Sequence, residues 1–339
     1  MLGRLSNAKG VSGDEGRVRA LIKELTAPYA SDVRTDVMGN LYAHKKGRGR
    51  RIMVCAHMDE VGMIVRGILD NGLIAYSCSG IDPRVVVSKR VVIGKDEVPG
   101  IIGSKAIHLQ SRTEFEKAYK HKELYIDIGA KDKADAESSV KPGDYISFDT
   151  GFSYFGDGLM AGKALDDRLG CAAVIELLKN DYACDFYGVF TVQEELGMRG
   201  AYAAAYNVKP ELALIVEGTT ANDMPEVESH RHVTRVGGGP AISFMDRGSI
   251  VRPFMFEALK KTAMEAGIPW QLRQGTAGGI DAGAISISGA GVVTCGISVP
   301  CRYIHSPCSV ASVSDYENAV KLADRFLGSG KFEEVLRNV

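Results

Sequence analysis

The sequence lacks an excess of charge of either sign. Its 41 Lys and Arg residues are offset by 42 Asp and Glu residues, which gives a formal net charge of −1 over 339 residues. Because the two signs are interspersed, no basic face is available to hold a nucleic acid or an anionic membrane surface. We therefore expect no nucleic-acid partner and no membrane partner.

Long apolar runs and paired cysteines are also missing. No stretch reaches the ~20 apolar residues of a membrane-spanning helix, and the N-terminus has no apolar segment typical of a secretory signal. The seven cysteines include no C-x-x-C pair, and several lie inside apolar runs. This usage is typical of reduced core thiols. Together these absences predict a cytoplasmic protein.

Motifs of several common enzyme classes are absent. The chain has no G-x-S-x-G, no P-loop and no G-x-G-x-x-G, so serine hydrolases, P-loop enzymes and dinucleotide-binding enzymes are not indicated. Cys301 and Cys308 flank His305, but no local signature of a thiol nucleophile surrounds them. His230 and His232 could bind a metal, although their surroundings are more typical of an exposed polar loop.

The stretch AGKALDDRLG at residues 161–170 places two neighbouring carboxylates, Asp166 and Asp167, beside an apolar run at residues 169–178. The run predicts a buried helix. Asp is common as an N-cap. Two adjacent carboxylates that enter a domain interior nevertheless repel each other unless they share a cation or a proton. The pair therefore prompts a search for further metal ligands.

Polar side chains follow four runs that predict strands, of which the first is continuously apolar, as in a strand buried on both faces of a parallel sheet. The runs cover residues 52–56, 186–192, 211–216 and 291–298. The polar residues that come after them, in the same order, are His57 and Asp59, Glu194 and Glu195, Glu217, and His305 in a loop. Because the carboxyl ends of parallel strands share one sheet edge, we expect these side chains to converge in one cleft.

The pattern changes between residues 62 and 155, where short β-rich runs are separated by Gly, Pro and charged turns. The runs cover residues 72–76, 84–87, 90–94, 99–103, 124–129 and 143–148, with a charged, mobile segment expected at residues 111–122. This predicts a small all-β domain inserted into a catalytic domain of residues 1–61 and 156–339. The catalytic domain is expected to be α/β, with a mostly parallel mixed sheet flanked by helices, among them residues 14–25 and 200–206.

Histidine nitrogens and carboxylate oxygens form a ligand set that suits Zn²⁺, Co²⁺ or Mn²⁺ and does not suit a thiolate site. A paired site with ions about 3.5 to 4 Å apart needs a bridging carboxylate, terminal ligands for each ion, and a free carboxylate as base. The number of candidates fits that requirement. We therefore expect two divalent metal ions per chain.

Seven motifs resemble those of the M42 metallo-aminopeptidases, which include glutamyl and TET-like aminopeptidases of the zinc exopeptidase group. They occur in family order and span nearly the whole chain. The motifs are AHMDEVG at 56–62, GKALDDR at 162–168, QEELG at 193–197, EGTTANDMP at 217–225, GGGP at 237–240, GGIDAGA at 278–284 and PCRYIHSP at 300–307. The family also has an inserted β domain at the place of the β-rich segment.

The resemblance implies a role for each candidate residue. Asp166 would bridge two metals, of which one would also bind His57 and Glu217 and the other Glu195 and His305. The general base would be Glu194, and Asp59 would orient His57 through its other ring nitrogen. Related enzymes have a cis peptide at the position of Asp166 and Asp167. Many relatives have Asp at the position of Glu217, so the longer arm could alter metal spacing or preference.

The same resemblance implies hydrolysis of the first peptide bond of an oligopeptide by a metal-activated water. It also implies a hollow homo-oligomer, typically a dodecamer. The residues that select the side chain of the substrate's N-terminal residue are not assigned, and loops such as residues 243–249 are candidates. The alternative enzymatic function is that of a metal-dependent deacylase, a carboxypeptidase or a glycan hydrolase on the same scaffold. The non-enzymatic alternative is a binding protein that has lost its metals.

Overall fold

The computed structural model describes residues 1–339, which form ten α-helices and 17 strands. The strands are β1 Asp32–Thr35, β2 Leu41–Lys45, β3 Arg51–His57, β4 Met63–Ile68, β5 Ile74–Cys78, β6 Arg90–Ile93, β7 Val98–Gly103, β8 Tyr125–Asp127, β9 Tyr145–Phe148, β10 Ser153–Phe155, β11 Leu159–Gly162, β12 Asp185–Thr191, β13 Leu212–Thr220, β14 Ala241–Ile242, β15 Gln271–Leu272, β16 Val293–Arg302 and β17 Ser309–Ser312. The helices are α1 Leu2–Asn7, α2 Gly16–Thr26, α3 Arg112–Phe115, α4 Lys133–Glu137, α5 Leu165–Leu178, α6 Arg199–Val208, α7 Pro253–Glu265, α8 Ala282–Ser286, α9 Val313–Gly328 and α10 Lys331–Leu336.

The large sheet has 11 strands and is mixed. Its main path runs β1-β2-β12-β3-β13-β16-β17-β11-β10, and β14 and β15 attach to it through β16. The four central strands, β12, β3, β13 and β16, are mutually parallel, whereas the strands on both flanks pair antiparallel. Every residue from Ile52 to Ala56 in β3 is buried, as expected for a strand covered by helices on both faces. The predicted α/β class is confirmed.

Six strands close into a small barrel in the order β4-β5-β8-β7-β6-β9. Its apolar core is separate from that of the large sheet and includes Ile74, Ile93, Ile126 and Ile146, all fully buried. The expectation of a small all-β unit is thus confirmed. Strand β10 pairs with β11 in the large sheet, although it lies within the predicted insertion. The division of the chain at residues 62 and 155 stays a prediction.

The strands of the barrel differ from the sequence-based expectation at two places, residues 84–87 and strand β4. Residues 84–87, expected as a β run, instead contribute to a 3₁₀ helix at Pro83–Val85. Asp82 caps this helix by accepting a hydrogen bond from the Arg84 backbone N–H at 2.8 Å, and a proline in the first turn favours a helix start. Strand β4 was not anticipated. Residues 111–122, whose expected mobility stays a prediction, include α3, which Ser111 caps by accepting a hydrogen bond from the Glu114 backbone N–H.

The predicted helices are present with adjusted ends as α2, α5 and α6. Helix α1 was not anticipated; it buries Leu2 and Leu5 in the main core. None of the helices combines the length and the apolar character needed to cross a bilayer.

Three charged side chains are buried together where the N-terminal segment meets β3 and α5. Lys163 Nζ donates to both carboxylate oxygens of Glu60, at 2.7 and 2.8 Å. Arg168, fully buried, donates to the backbone carbonyl oxygens of Met58, Leu5 and Ala8 at 2.7 to 3.0 Å. Burial lowers the pKa of the Lys163 ammonium to about 8. Through the hydrogen bonds to Leu5 and Ala8, the cluster holds the N-terminal segment against the end of β3.

Replacing Glu60 with Gln is expected to lower the free energy of unfolding by about 3–5 kcal/mol. The change would leave the Lys163 charge buried without its carboxylate partner, which costs far more than losing an exposed pair. The matched control is Glu97→Gln, which removes exposed ion pairs with Lys9 and Arg17 and should cost no more than about 1 kcal/mol. Denaturant unfolding measures the free energy of unfolding of both variants. Equal losses in the two variants would contradict a stabilising role of the buried Glu60–Lys163 ion pair.

Candidate active site

The register of three parallel strands brings His57, Glu217 and the segment after β12 to one level of the sheet. His57 ends β3 and pairs with Thr191 at the end of β12, so Glu194 and Glu195 follow three and four residues beyond that level. Ile215 of β13 pairs with Cys55 of β3, which places Glu217 opposite His57. Strand β13 continues to Thr220, so Glu217 lies within the strand. The sequence analysis had instead predicted that the strand ends before Glu217.

Helix α5 approaches β13 closely enough to carry Asp166 onto the same edge. Two glycines permit this contact because a Cβ at Gly170 would lie 2.0 Å from the Val216 carbonyl oxygen, and one at Gly218 would lie 3.1 Å from Asp166 Cβ. The peptide bond between Asp166 and Asp167 is cis. Asp167 accepts hydrogen bonds from the backbone N–H groups of His57 and Gly170 at 3.1 and 2.8 Å. The two neighbouring aspartates therefore have different partners.

Asp166 lies between the two histidines. Its Oδ1 is 3.2 Å from His57 Nε2, and its Oδ2 is 3.5 Å from His305 Nε2. His305 Nε2 is also 3.3 Å from Glu195 Oε2. Ligand atoms of His57, Asp166 and Glu195 all lie within 4.8 Å of one another. A carboxylate with one oxygen toward each histidine has the arrangement that a bridging ligand requires.

The barrel contributes to the orientation of His305. The ring Nδ1 of His305 is 3.1 Å from the backbone carbonyl oxygen of Gly80, which follows β5. A carbonyl can only accept, so this contact places the ring proton on Nδ1 and leaves Nε2 free to act as a ligand. The contact was not visible in the sequence because it involves a backbone atom 225 positions away.

Glu195 provides a test of whether these residues fit a cation. Its Oε1 is buried and has no hydrogen-bond partner, which is costly for a carboxylate oxygen. Burial raises the pKa of the Glu195 carboxyl to about 7, although the nearby His305 opposes this change. A divalent cation would compensate the buried charge and use the free oxygen. The imidazole and carboxylate donor set also fits Zn²⁺, Co²⁺ or Mn²⁺.

Glu194 and Glu217 are two further buried carboxyl groups beside this cluster. Burial raises the pKa of both groups well above the usual range. The negative charge of Asp166 adds to this increase for each of them. Several carboxylates at one edge of the sheet thus share one small volume, which again favours a bound cation.

Asp59 is fully buried and links the end of β3 to the segment after β12. Its carboxylate accepts hydrogen bonds from the backbone N–H groups of Glu194 and Glu195, at 3.0 and 3.2 Å, and from Ser12 Oγ at 2.6 Å. Its Oδ1 is 3.4 Å from His57 Nδ1. Burial raises the pKa of the Asp59 carboxyl, but its contacts with His57 and Ser12 outweigh burial and lower the pKa overall.

One cavity of about 740 Å³ is lined by six of the seven residues that the sequence singled out: His57, Asp166, Glu194, Glu195, Glu217 and His305. The seventh, Asp59, lies behind it. Of the predicted 243–249 loop, Arg247 and Gly248 also line the cavity. Neither cysteine beside His305 and neither histidine of the 230–232 segment does. The sequence analysis missed Ser12 and Arg273, because neither belongs to a recognised motif.

An ion pair connects strand β16 with the segment that follows β13. The last residue of β16, Arg302, is three positions before His305. Arg302 Nε and Nη2 donate to the two oxygens of Asp223 at 2.8 and 2.6 Å. Burial raises the pKa of the Asp223 carboxyl, but the Arg302 hydrogen bonds outweigh burial and hold the pKa below its usual range.

Replacing Asp223 with Asn is therefore expected to lower the free energy of unfolding by about 1.5–3 kcal/mol at neutral pH. A carboxyl whose pKa is depressed by folding stabilises the fold above its unfolded pKa and loses that contribution as pH falls through the folded value. The gap between wild type and variant should thus be constant above about pH 5 and close progressively at lower pH. Denaturant unfolding across pH tests this, and a gap that persists undiminished in acid would refute it.

The chain is similar in sequence to aminopeptidases along nearly its whole length. The family model for M42 glutamyl aminopeptidase matches residues 39–322. A putative aminopeptidase of Acetivibrio thermocellus is 39% identical, with 95% of this chain and 96% of that protein covered. The lysyl aminopeptidase of Pyrococcus furiosus is 30% identical, with 96% of each chain covered.

Solved structures show the same similarity in three dimensions. The TET aminopeptidase of a marine-sediment thaumarchaeote superposes with a TM-score of 0.94 at 36% identity, covering 96% of this chain and 94% of that one. The TET1 peptidase of Pyrococcus horikoshii, which can assemble into a tetrahedron or a large octahedral shell, gives a TM-score of 0.85 at 31% identity, with 96% and 98% coverage. From the family match over residues 39–322 and these relatives, the chain belongs to the M42 family of aminopeptidases.

Proposed function

We propose that this chain is a two-metal aminopeptidase that removes the N-terminal residue from oligopeptides. The observation that supports this most is the position of Asp166, with one carboxylate oxygen toward His57 and the other toward His305. Glu194, Glu195 and Glu217 line the same cavity. This is the donor set that a paired metal site and a separate base require.

Five residues would hold the two metals. Asp166 would be shared, His57 and Glu217 would complete one site, and Glu195 and His305 would complete the other. Zn²⁺ or Co²⁺ suits these donors best, and Mn²⁺ is a third candidate. When bound, two divalent ions polarise a peptide carbonyl and lower the pKa of water.

Glu194 would act as the general base. Its carboxylate would take a proton from the attacking water and later give that proton to the leaving amine. The position of Glu194 supports this role, because Glu194 lines the same cavity as the five candidate ligands. No nucleophilic side chain is then needed.

Asp59 would act as a positioning residue for the groups around it. Its carboxylate lies close to His57 Nδ1 and would keep the opposite ring nitrogen, Nε2, directed at the metal site. By accepting from the backbone of Glu194 and Glu195, it would also fix the base relative to its neighbouring ligand. Ser12 holds Asp59 in turn, so the N-terminal segment supports the site.

We also propose that the chain self-associates into a homo-oligomer, with a dodecamer as the expected size, and that it works in the cytoplasm. The whole-length similarity to the Pyrococcus horikoshii peptidase that assembles into a tetrahedron or an octahedral shell supports the first of these. Sedimentation at a mass of one 36.4 kDa chain would contradict it.

Peptides with blocked ends test the reaction. We expect metal-loaded protein to remove single residues from pentapeptides with a free N-terminus, to tolerate a C-terminal amide, and to be inactive on N-acetylated peptides. Mass spectrometry of the products measures this for Glu, Leu and Lys as first residue. Loss of the acetyl group would indicate a deacylase, loss of the last residue a carboxypeptidase, and cleavage of an oligosaccharide alone a glycan hydrolase. Each of these results would overturn the proposal.

A further inference from the structure

A second cavity, of about 260 Å³, lies where the outer face of the barrel meets the large-sheet unit. This junction cavity shares one residue, Glu195, with the ligand cavity, which is the one of about 740 Å³ that His57 and Asp166 line. The proposed reaction gives the junction cavity no role. The following inference concerns the peptide that is cut, and it rests on the proposed function.

One wall of the junction cavity is a row of side chains on the barrel. In strand β4, Met63 and Val65 belong to the apolar core of the barrel, so the intervening Ile64 points away from that core. Ile64 pairs with Ser77 of β5 and with Tyr145 of β9. Residues that lie directly opposite in a sheet share a face, and all three of these residues line the cavity.

The N-terminal segment and the segment after β12 form the other walls. Val11 and Ser12 line the cavity from the N-terminal side. The Ser12 hydroxyl already donates to the Asp59 carboxylate at 2.6 Å, so it offers no free proton donor to a ligand. On the remaining side, Leu196 directly follows the candidate ligand Glu195 and is 46% exposed. An apolar surface therefore begins one residue beyond a candidate metal ligand.

The junction cavity suits an apolar side chain better than the ligand cavity does. Seven of its 12 lining residues are apolar, compared with four of the 19 residues that line the ligand cavity. An engineered protein cavity of about 150 Å³ holds a benzene ring, so the larger junction cavity has room for the side chain of Leu or Phe. Such a side chain would gain affinity in proportion to the apolar area that leaves water.

We infer that the junction cavity binds an apolar side chain of the second residue of the peptide, directly after the bond that is cut. Successive side chains of an extended chain point to opposite sides. The two cavities are built from different segments and have only Glu195 in common. A peptide whose first side chain enters the ligand cavity therefore directs its second side chain toward the junction cavity. The favoured substrates are peptides with a large aliphatic or aromatic second residue.

Binding to a catalytically impaired chain tests this subsite without turnover. The probes are the tripeptide amides Ala-Leu-Ala and Ala-Asn-Ala, whose second side chains are similar in size but differ in polarity. They are titrated calorimetrically into metal-loaded Glu194→Gln protein. We expect the Leu peptide to bind about 10-fold more tightly. Adding Ile64→Ser should remove most of that difference. The matched control is Ile101→Ser, at a barrel position that is 52% exposed and lies outside the cavity, and it should leave the ratio unchanged.

Cys78 provides a second measurement, because its half-buried thiol lines the junction cavity. A saturating amount of the Leu peptide should slow alkylation of Cys78 by a maleimide, as measured by mass spectrometry of the labelled protein.

Three results would overturn the subsite: equal binding of the two peptides, a Leu preference that survives Ile64→Ser, or an unchanged rate of Cys78 alkylation. A preference for Leu at the third position of the peptide, in place of the second, would overturn the assignment to the second residue. Failure of the wild type to release alanine from Ala-Leu-Ala amide would instead overturn the proposed aminopeptidase reaction, whatever the ratio of the two affinities.

Discussion

Replacing Glu194 with Gln is expected to lower kcat by about 10²- to 10⁴-fold and to leave the bound metal in place. The expected size is that of a lost general base. Glutamine keeps the shape of the side chain but does not take a proton. The Glu194 backbone N–H, which donates to Asp59, is unchanged by the substitution, so the segment should keep its position. Steady-state kinetics and metal analysis of the same preparation measure both quantities.

The neighbouring residue provides the matched control. Glu195 Oε2 is 3.3 Å from His305 Nε2, so Glu195→Gln should lower metal content together with activity. The two substitutions are chemically identical and one position apart, yet they should give different results. A Glu194→Gln protein with full turnover, or one that loses its metal as Glu195→Gln does, would contradict the division of roles.

Replacing Asp166 with Asn is expected to weaken metal binding by more than about 100-fold, with loss of activity as a consequence. Groups that only orient a ligand already contribute about 10- to 100-fold to metal affinity, and Asp166 contacts both histidines directly. The variant would lose the charge that the two metals share. Metal content after dialysis against a weak chelator measures the change.

The control for this variant is Asp149→Asn on the barrel surface, where Asp149 pairs with Arg90. This substitution removes an aspartate charge that does not line the cavity of the candidate ligands, and the variant should retain its metal. If Asp166→Asn also retained two ions per chain, Asp166 would not be the shared ligand.

The central strands and the residues at their ends could be predicted from sequence because burial on both faces demands continuous apolar runs. Strand β3 shows this well, since five buried residues lead directly to His57. The parallel arrangement then determines which side chains meet. His57 and Thr191 pair in register, and this pairing brings the segment with Glu194 and Glu195 beside His57.

Contacts that use backbone atoms could not be predicted in this way. The Gly80 carbonyl oxygen that orients His305 has no side chain to mark it. The same holds for Arg168, which binds the carbonyl oxygens of Leu5 and Ala8. Any residue type can supply a carbonyl oxygen, so no motif signals such a contact.

Two arginines that line the cavity without standing out in the sequence illustrate a second limit. Arg247 and Arg273 are separated by 26 positions and by helix α7, and only the folded chain shows that they share one wall. In the sequence they are two of many basic residues in a chain of nearly balanced charge. Their shared position in one cavity is a property of the structure and not of the residue pattern.

The most direct test of the whole account is a metal titration of chelator-treated protein. Zn²⁺ or Co²⁺ is added in increments while release of the first residue from a free peptide and bound metal per chain are measured together. We predict that the chelated chain is folded and inactive, and that activity rises until two ions are bound per chain. Full activity in the chelated protein, or saturation at a single ion, would contradict a two-metal aminopeptidase.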